Sequence, residues 1–398
     1  MSKIKEVPNP LYLKISGVLC ILTLSLFPKS TQAQEFIEKI TNIFEFNLGQ
    51  ERQDSTFKQT KMVFAPIMSF EPTTSWGFGV GIKFLFKPFG AGADTRTSNI
   101  PLSVKYTLNN QFIASSEYTI FFPHEKFLLK GNLGFSKFPL GYFGIGSGAA
   151  DENQVDISFD NFLFEPLLLR RVAPNFFIGG GWRYNSYKNL RLLEDDITEE
   201  VEEFFRDSLG SVSSGLEIAA TFDSRDNVLN AGKGIFAEFT HGFYNKSFGS
   251  SGSFMLTKLD FRKYWTVSAR RPHDVVAVEF FTRLSWDDTP VLELSALGGP
   301  QFLRGFREDR FRDRYSFFTQ VEYRWQALEQ IGFVFFGGVG DVTDKLSNLK
   351  LENAKFSLGT GLRLKIVKSE NLNIRIDYAL GLGNIRDQNF YLGIAEAF

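Results

Sequence analysis

The sequence holds a single cysteine, Cys20, and only three histidines, His124, His241 and His273. That excludes a disulfide scaffold and a zinc centre built from Cys and His, which needs three or four such ligands. No metal or other cofactor is expected. Charge of one sign is also lacking: 44 Lys and Arg stand against 45 Asp and Glu, for a net charge of −1. A nucleic-acid-binding face would show an excess of Lys and Arg, so no nucleic acid partner is expected. No Ser nucleophile motif and no phosphate loop is visible. His124 and His273 fall at or beside turns and His241 falls in an apolar register, so no catalytic residue is expected.

Long apolar runs are scarce as well. The one unbroken stretch, Ile15 to Phe27, follows a basic start and precedes Pro28, Lys29 and the small-residue site Thr31-Gln32-Ala33. It is shorter than the ~20 residues a membrane helix needs. The layout is that of a secretory signal peptide, with 1–33 removed after Ala33. Cys20 leaves with it, so the exported chain carries no cysteine. Residues 34–60 read as a periplasmic tether, or as a short helix from Glu35 to Phe46 resting in the barrel opening. They are too few for a separate folded domain, which needs ~40 residues or more without staples.

Aromatic residues and glycine are abundant, with 45 Phe, 16% aromatic content and 35 Gly. From Lys61 onward the dominant pattern has a period of two. Trp76, Phe78, Val80, Ile82, Phe84 and Phe86 alternate with Ser75, Gly77, Gly79, Gly81, Lys83 and Leu85. Near the other end, Leu372, Ile374, Ile376, Tyr378, Leu380 and Leu382 alternate with Asn371, Asn373, Arg375, Asp377, Ala379 and Gly381. Phe356–Ile366 splits the same way, with Ser357, Gly359, Gly361, Arg363 and Lys365 opposite the apolar set.

One apolar face and one charged face suit either a soluble sandwich or a membrane barrel, whose apolar face meets lipid and whose polar face lines a lumen. Length decides between them. Many segments run ~10 residues, the span of a tilted strand across a bilayer, where soluble strands usually have ~5–6. All five tryptophans, Trp76, Trp182, Trp265, Trp286 and Trp325, fall within or at the ends of such segments, as interfacial girdles do. The expected fold is all-β: a transmembrane antiparallel β-barrel of about sixteen strands over 61–398. Strands are placed at 61–70, 75–86, 99–109, 111–122, 126–136, 155–169, 175–188 and 210–222. The others fall at 233–245, 252–266, 273–287, 315–326, 331–341, 354–367, 371–382 and 389–398.

With the amino end in the periplasm, the long connections 137–154, 189–209, 288–314 and 342–353 all face outward. Most inward turns are short, such as Pro123–Lys126, Arg171–Pro174, Ala327–Gln330 and Lys368–Asn371, with 87–98 as an exception. In Leu192–Leu209 the residues Leu193, Ile197, Val201, Phe204 and Phe205 recur at helical spacing among acidic residues, which predicts a short amphipathic helix over the mouth. The barrel would lie in a bacterial outer membrane, with outer-membrane lipid around it.

Gly298-Gly299-Pro300-Gln301-Phe302-Leu303-Arg304-Gly305-Phe306 stands in the long connection 288–314. Glycine lets a loop tip turn sharply, and a guanidinium in a lumen can clasp a carboxylate with two hydrogen bonds. Glu322, on the lumen face with Gln320 and Arg324, is the leading partner. Asp223-Ser224-Arg225-Asp226-Asn227 with Gly232-Lys233-Gly234 falls at a periplasmic turn, and Pro139–Gly146 at an outer loop. The chain ends on Phe398, with Phe390, Leu392 and Ile394 alternating before it and Glu396 breaking the alternation.

Together these motifs resemble the BamA/TamA superfamily, also called bacterial surface antigens, over the whole of 61–398. The resemblance implies an outer loop folded back into the lumen with Phe302, Leu303, Arg304, Gly305 and Phe306 at its tip. It implies a periplasmic turn motif in Asp223, Arg225, Asp226, Asn227 and Gly234. It also implies a terminal strand signal in Phe390, Leu392, Ile394 and Phe398, read by the barrel-assembly machinery. Gly338 stands where that family usually has an aspartate that helps to hold the loop arginine, and Asp341 would have to substitute for it. There is no room ahead of the barrel for the POTRA domains that receive clients. Two functions stay open. One is membrane-protein insertion, polypeptide translocation or lipid handling, with an unfolded polypeptide as client. The other is a passive channel or surface scaffold with a plugged lumen.

Overall fold

The computed structural model describes residues 45–48, 60–71, 75–148, 154–193, 210–367, 371–383 and 385–398. Its strands, in chain order, begin with β1 (Glu45–Leu48), β2 (Thr60–Glu71), β3 (Ser75–Phe86), β4 (Ser98–Thr107), β5 (Phe112–Phe121) and β6 (Phe127–Tyr142). Then come β7 (Val155–Ala173), β8 (Phe176–Leu192), β9 (Val212–Asp223), β10 (Gly234–Tyr244), β11 (Phe254–Ser268) and β12 (Arg271–Asp287). The rest are β13 (Ser295–Leu297), β14 (Phe311–Asp313), β15 (Tyr315–Gln326), β16 (Ile331–Thr343), β17 (Lys355–Val367), β18 (Leu372–Leu382) and β19 (Asp387–Ile394).

From β2 to β12 each strand pairs antiparallel with the next; β12 then pairs with β15, and the ladder continues to β19. β19 pairs in turn with β2, so sixteen strands make one circuit. No helix among the described residues is long and apolar enough to cross a membrane. Strands do the spanning.

The period of two sorts the side chains as a barrel in lipid requires. Val80, Leu168, Ile218, Val321 and Leu358 are each 43% or more exposed on the outer face. Lys83, Glu165, Arg183, Glu322, Arg363 and Asp377 are buried inside. Buried charge survives where a lumen carboxylate finds a cation, as Glu165 does in Lys258, Glu322 in Arg304 and Asp377 in Arg363. Trp76 and Trp286 lie at the long-loop ends of β3 and β12, and Trp265 and Trp325 near the short-turn ends of β11 and β15. Trp182 sits deeper in β8 but opposite Leu216, close to where the shorter β9 begins, and meets Phe248 edge-on at 5.5 Å.

All sixteen expected strands are present, with the larger departures at the ends of four of them. β7 runs on to Ala173 at its short-turn end, and β6 and β8 extend past the expected lengths because Leu140, Tyr142 and Leu190 form an apolar cluster with Ile157 and Phe159 of β7 and Leu292 of the long loop. That packing partner is distant in sequence. β19 starts earlier, at Asp387, and stops at Ile394, short of the expected 398. The small ribbon β13–β14 inside the long loop had no period long enough to reveal it.

The helix expected from Glu35 to Phe46 is corrected at its end: Glu45 and Phe46 lie in a strand, paired with Val63 and Met62 of β2. The remainder of that segment, the signal peptide and residues 194–209 of the expected amphipathic helix lie outside the described residues. Leu193 itself extends the β8 ladder, its N–H donating to Asp156 O at 2.9 Å.

Candidate functional site

The loop between β12 and β15 turns back into the barrel. It leaves β12 through a single turn, Val291–Glu293, and runs as the β13–β14 ribbon. Gly298 and Gly299, both at positive φ, redirect it, and their N–H groups donate to Phe302 O (2.7 Å) and Phe306 O (3.0 Å). The tip between them is compact. Leu303, Arg304 and Phe306 are fully buried, and Phe306 meets Phe311 edge-on at 5.2 Å.

Arg304 is the centre of this tip. One guanidinium nitrogen donates to Glu322 on β15 and another to Asp377 Oδ2 on β18 at 2.8 Å, while the plane lies 3.7 Å from the ring centre of Phe336 on β16. Stacking on an aromatic face and bonding two carboxylates uses both faculties of arginine. Gly305, at φ +116°, lies so close to β18 that a Cβ there would stand 2.6 Å from the main-chain carbon of Leu380. Asn389 Nδ2 holds the Gly305 carbonyl at 2.9 Å.

Asp341 does not serve the clasp, contrary to the sequence expectation. It binds Ser147 and lies 3.7 Å from Lys355, towards the long-loop end of β16. The position of Gly338 is filled from above: a Cβ there would lie 2.8 Å from Leu303 Cδ1. Asp377 supplies the second carboxylate. The sequence marked Asp377 as lumen-facing, but only strand register brings it level with the tip.

Beyond the clasp the charges continue in a closed ring. Asp377 accepts from Arg363 at 2.5 Å, Arg363 reaches Glu396 at 2.6 Å, and Glu396 lies 3.9 Å from Arg324. Arg324 returns to Glu322 at 2.9 Å, and Glu322 to Arg304. Three guanidiniums thus alternate with three carboxylates in an interior that water barely reaches. Each charge lost from such a ring takes one of two partners from both of its neighbours and leaves one net buried charge uncompensated.

Glu396 belongs to a tail that has left the wall. Ala395 is at φ +77°, and its N–H donates to Asn373 O at 2.8 Å. Phe398 is buried in the lumen against Tyr264 and Ala231, with its main-chain oxygen accepting from Arg324 at 2.8 Å. This corrects the expected terminal strand: Phe390, Leu392 and Ile394 lie in β19, but Phe398 does not continue its lipid-facing row. Glu396 breaks the alternation because it is an interior ligand of Arg363, Arg324 and Asn373.

A second anchor holds the stem of the loop. Glu293 is buried and accepts from Arg183 (2.9 Å), Arg283 (3.1 Å) and Asn185 (2.7 Å). Burial pushes its carboxyl up, but Arg183 and Arg283 more than reverse this, so it titrates below its ordinary value of 4.5. A depressed carboxyl stabilises at pH above its unfolded value and loses that contribution as pH falls through the folded one. Trypsin attack on the loop arginines should therefore rise on acidification below about 4.5 after brief incubation and return to neutral assay. Glu293→Gln should remove that pH step, and a step unchanged in that variant would show that Glu293 does not control the stem.

Pro139–Gly146 also serves the loop. Phe143 is the plate on which Arg310 stacks at 3.6 Å and Arg307 at 4.6 Å, and Gly146 N donates to Arg312 O at 2.8 Å. Arg307 further pairs with Asp387 of β19 at 3.2 Å.

At the short-turn end, the turn 224–233 tucks into the barrel. Asp223 holds Arg225 through two bonds of 2.9 and 3.0 Å and Arg96 at 2.9 Å, and Arg96 also clasps Glu125. Asp226 accepts from the N–H groups of Gly232 and Lys233, Asn227 from those of Leu229 and Asn230, and Gly234 opens β10 at φ +114°. These bonds point Val228, Leu229 and Ala231 at three separate apolar patches of the wall. The unusually long inward turn 87–97 carries Arg96. The long loop thus enters the lumen from one end, and the turn 224–233 and the tail enter it from the other.

Among the described residues the circuit has one weak junction. β19 and β2 pair only at Phe390–Phe70 and Tyr391–Ser69, whereas β2 and β3 pair without a break from Lys61 to Glu71.

The Omp85 superfamily domain matches residues 178–398. Among solved structures, BamA from Haemophilus ducreyi lacking POTRA domains 1–3 is similar at a TM-score of 0.54 and 12% identity, over 90% of this chain and 76% of that one. CdiB from Acinetobacter baumannii gives 0.54 and 13% identity, over 87% and 60%. CdiB from Escherichia coli gives 0.55 and 10%, over 84% and 62%. The chain spans about three fifths of either CdiB chain. No curated protein sequence matches it.

Proposed function

The chain belongs to the Omp85 superfamily, and on that premise we propose that it is an outer-membrane barrel that acts on polypeptides or lipids at its β19–β2 seam. The reactions in view are membrane-protein insertion, polypeptide translocation and lipid handling, with 1–33 as the export signal and 34–60 on the periplasmic side. The observation that carries this reading is the contrast within one molecule: a lumen entered from both ends by the chain's own segments, and a wall joined along its seam, among the described residues, at two positions. An edge strand left unpaired is a template for another strand, and addition there uses main-chain hydrogen bonds that do not depend on the partner's sequence. Pro66 adds to the weakness, since it has no N–H to give and faces the position that Ile394 would take if the β19 register continued.

The alternative is a passive channel or surface scaffold with a plugged lumen, and it is the sparsely paired seam that favours the first reading over it. The purified barrel should show negligible conductance in planar bilayers, and its depletion should lower the amount of other outer-membrane proteins or of an exported polypeptide. Steady open conductance with an unchanged outer-membrane protein profile would end the seam proposal. Partners under the proposal are the surrounding lipid, an extended polypeptide client, and the barrel-assembly machinery during this chain's own biogenesis.

A further inference from the structure

The seam edge of β2 is not empty along its whole length. β3 occupies one edge of β2, so β1 must lie on the other, the same edge that meets β19. There Glu45 to Leu48 pair antiparallel with Val63 to Thr60. The division of that edge follows from register. Phe390 opposes Phe70 and Tyr391 opposes Ser69, so continuing the ladder would set Ala397 opposite Val63. By then the chain has left the wall at Ala395, and Glu396 and Phe398 are held in the lumen by Arg363 and Arg324. The inward tail therefore uncovers the lower part of the β2 edge, and β1 covers it.

The sequence of the covering segment is also telling. Phe44, Phe46 and Leu48 alternate with Glu45 and Asn47, as Phe390, Leu392 and Ile394 alternate with Tyr391 and Gly393 in β19. The two segments share Phe-x-Leu, at 46–48 and 390–392. A strand with this pattern can lie on a barrel wall with its apolar side chains on one face.

We infer that residues 45–48 are a resident pseudo-client: a strand of the chain itself that occupies the acceptor edge of β2 and must be displaced before another strand can add there. The inference rests on the seam reading above and adds to it a built-in competitor. The competitor is suited to being displaced. Among the described residues it pairs over four positions of a strand that runs to Glu71, so a client strand of ordinary length can offer more pairs than β1 and replace it pair by pair. It also protects the edge at rest from unwanted strand addition.

The test uses the full chain in lipid nanodiscs and a defined probe, a synthetic peptide of residues 387–394 bearing a benzophenone. The double substitution Asn47→Cys with Lys61→Cys joins two register partners, and a second variant replaces 45–48 by Gly and Ser at equal length. Folding of both is checked by heat-modified gel mobility. Oxidation should give the 47–61 disulfide, seen by mass spectrometry. Photoadducts of the peptide on β2 should be several-fold more abundant in the Gly-Ser variant than in the native chain and nearly absent in the oxidised one. Absence of the disulfide in folded protein overturns the resident strand. Equal, substantial adduct yields in all three forms overturn the competition and leave the seam as an acceptor. Absence of adducts on β2 in every form overturns the acceptor edge itself, and the competitor with it.

Discussion

Arg304→Ala should lower the stability of the folded barrel by about 3–5 kcal/mol, the cost of stranding buried charges by removing their partner. Both Glu322 and Asp377 lose a guanidinium, each in a place that water barely reaches. Loss should appear in two ways: a lower temperature for conversion of the compact gel form, and trypsin cleavage after Arg307, Arg310 or Arg312, all buried while the tip is seated. Asp377→Ala should act in the same direction, because Arg304 and Arg363 both depend on it. Arg304→Lys should fall between, since an ammonium keeps the charge but cannot span two carboxylates and stack on Phe336. Asp341→Ala should leave the tip protected from trypsin. If Asp341→Ala exposes the loop while Asp377→Ala does not, the clasp has been assigned to the wrong strand.

Gly305→Ala should unseat the same tip by a steric route. Its φ of +116° is one that L side chains rarely adopt, and an added Cβ would press on the backbone of Leu380 and Gly381. β18 cannot yield there, because Leu380 pairs with Leu358 on one side and Gln388 on the other. The tip must lift, giving up the contacts of Arg304 and Phe306. Trypsin sensitivity should then approach that of Arg304→Ala, and the double substitution should add little, because one docking event is lost in either case. Full additivity of the two, or a Gly305→Ala loop as resistant as the native one, would show that the tip is not packed against β18.

Both predictions concern a loop whose presence could be read in the sequence and whose seat could not. The motif at 298–306 announced an arginine at a sharp tip, and the period of two placed Glu322 inside. Asp377 was equally visible as a lumen carboxylate. Its role depends on Glu322, Phe336, Gly359 and Ala379 lying side by side on successive strands, and register between distant strands leaves no mark in any one of them. Gly338 misled for the same reason: its missing side chain is compensated by Leu303, a neighbour only in space.

The sequence by itself determined the sixteen strands, their inward and outward faces and the long-loop end, because lipid on one side of a single-layer wall writes a strict alternation into every strand. It also marked the turn at 223–234, whose Asp and Asn bonds are local. Only the tertiary structure decided what fills the lumen: the Arg304 clasp, the Glu293 anchor, the inward turn of Glu396 and Phe398, and the strand that shares the seam with β19. These depend on which residues meet across the barrel, and the interior tolerates charge wherever an opposite charge happens to face it.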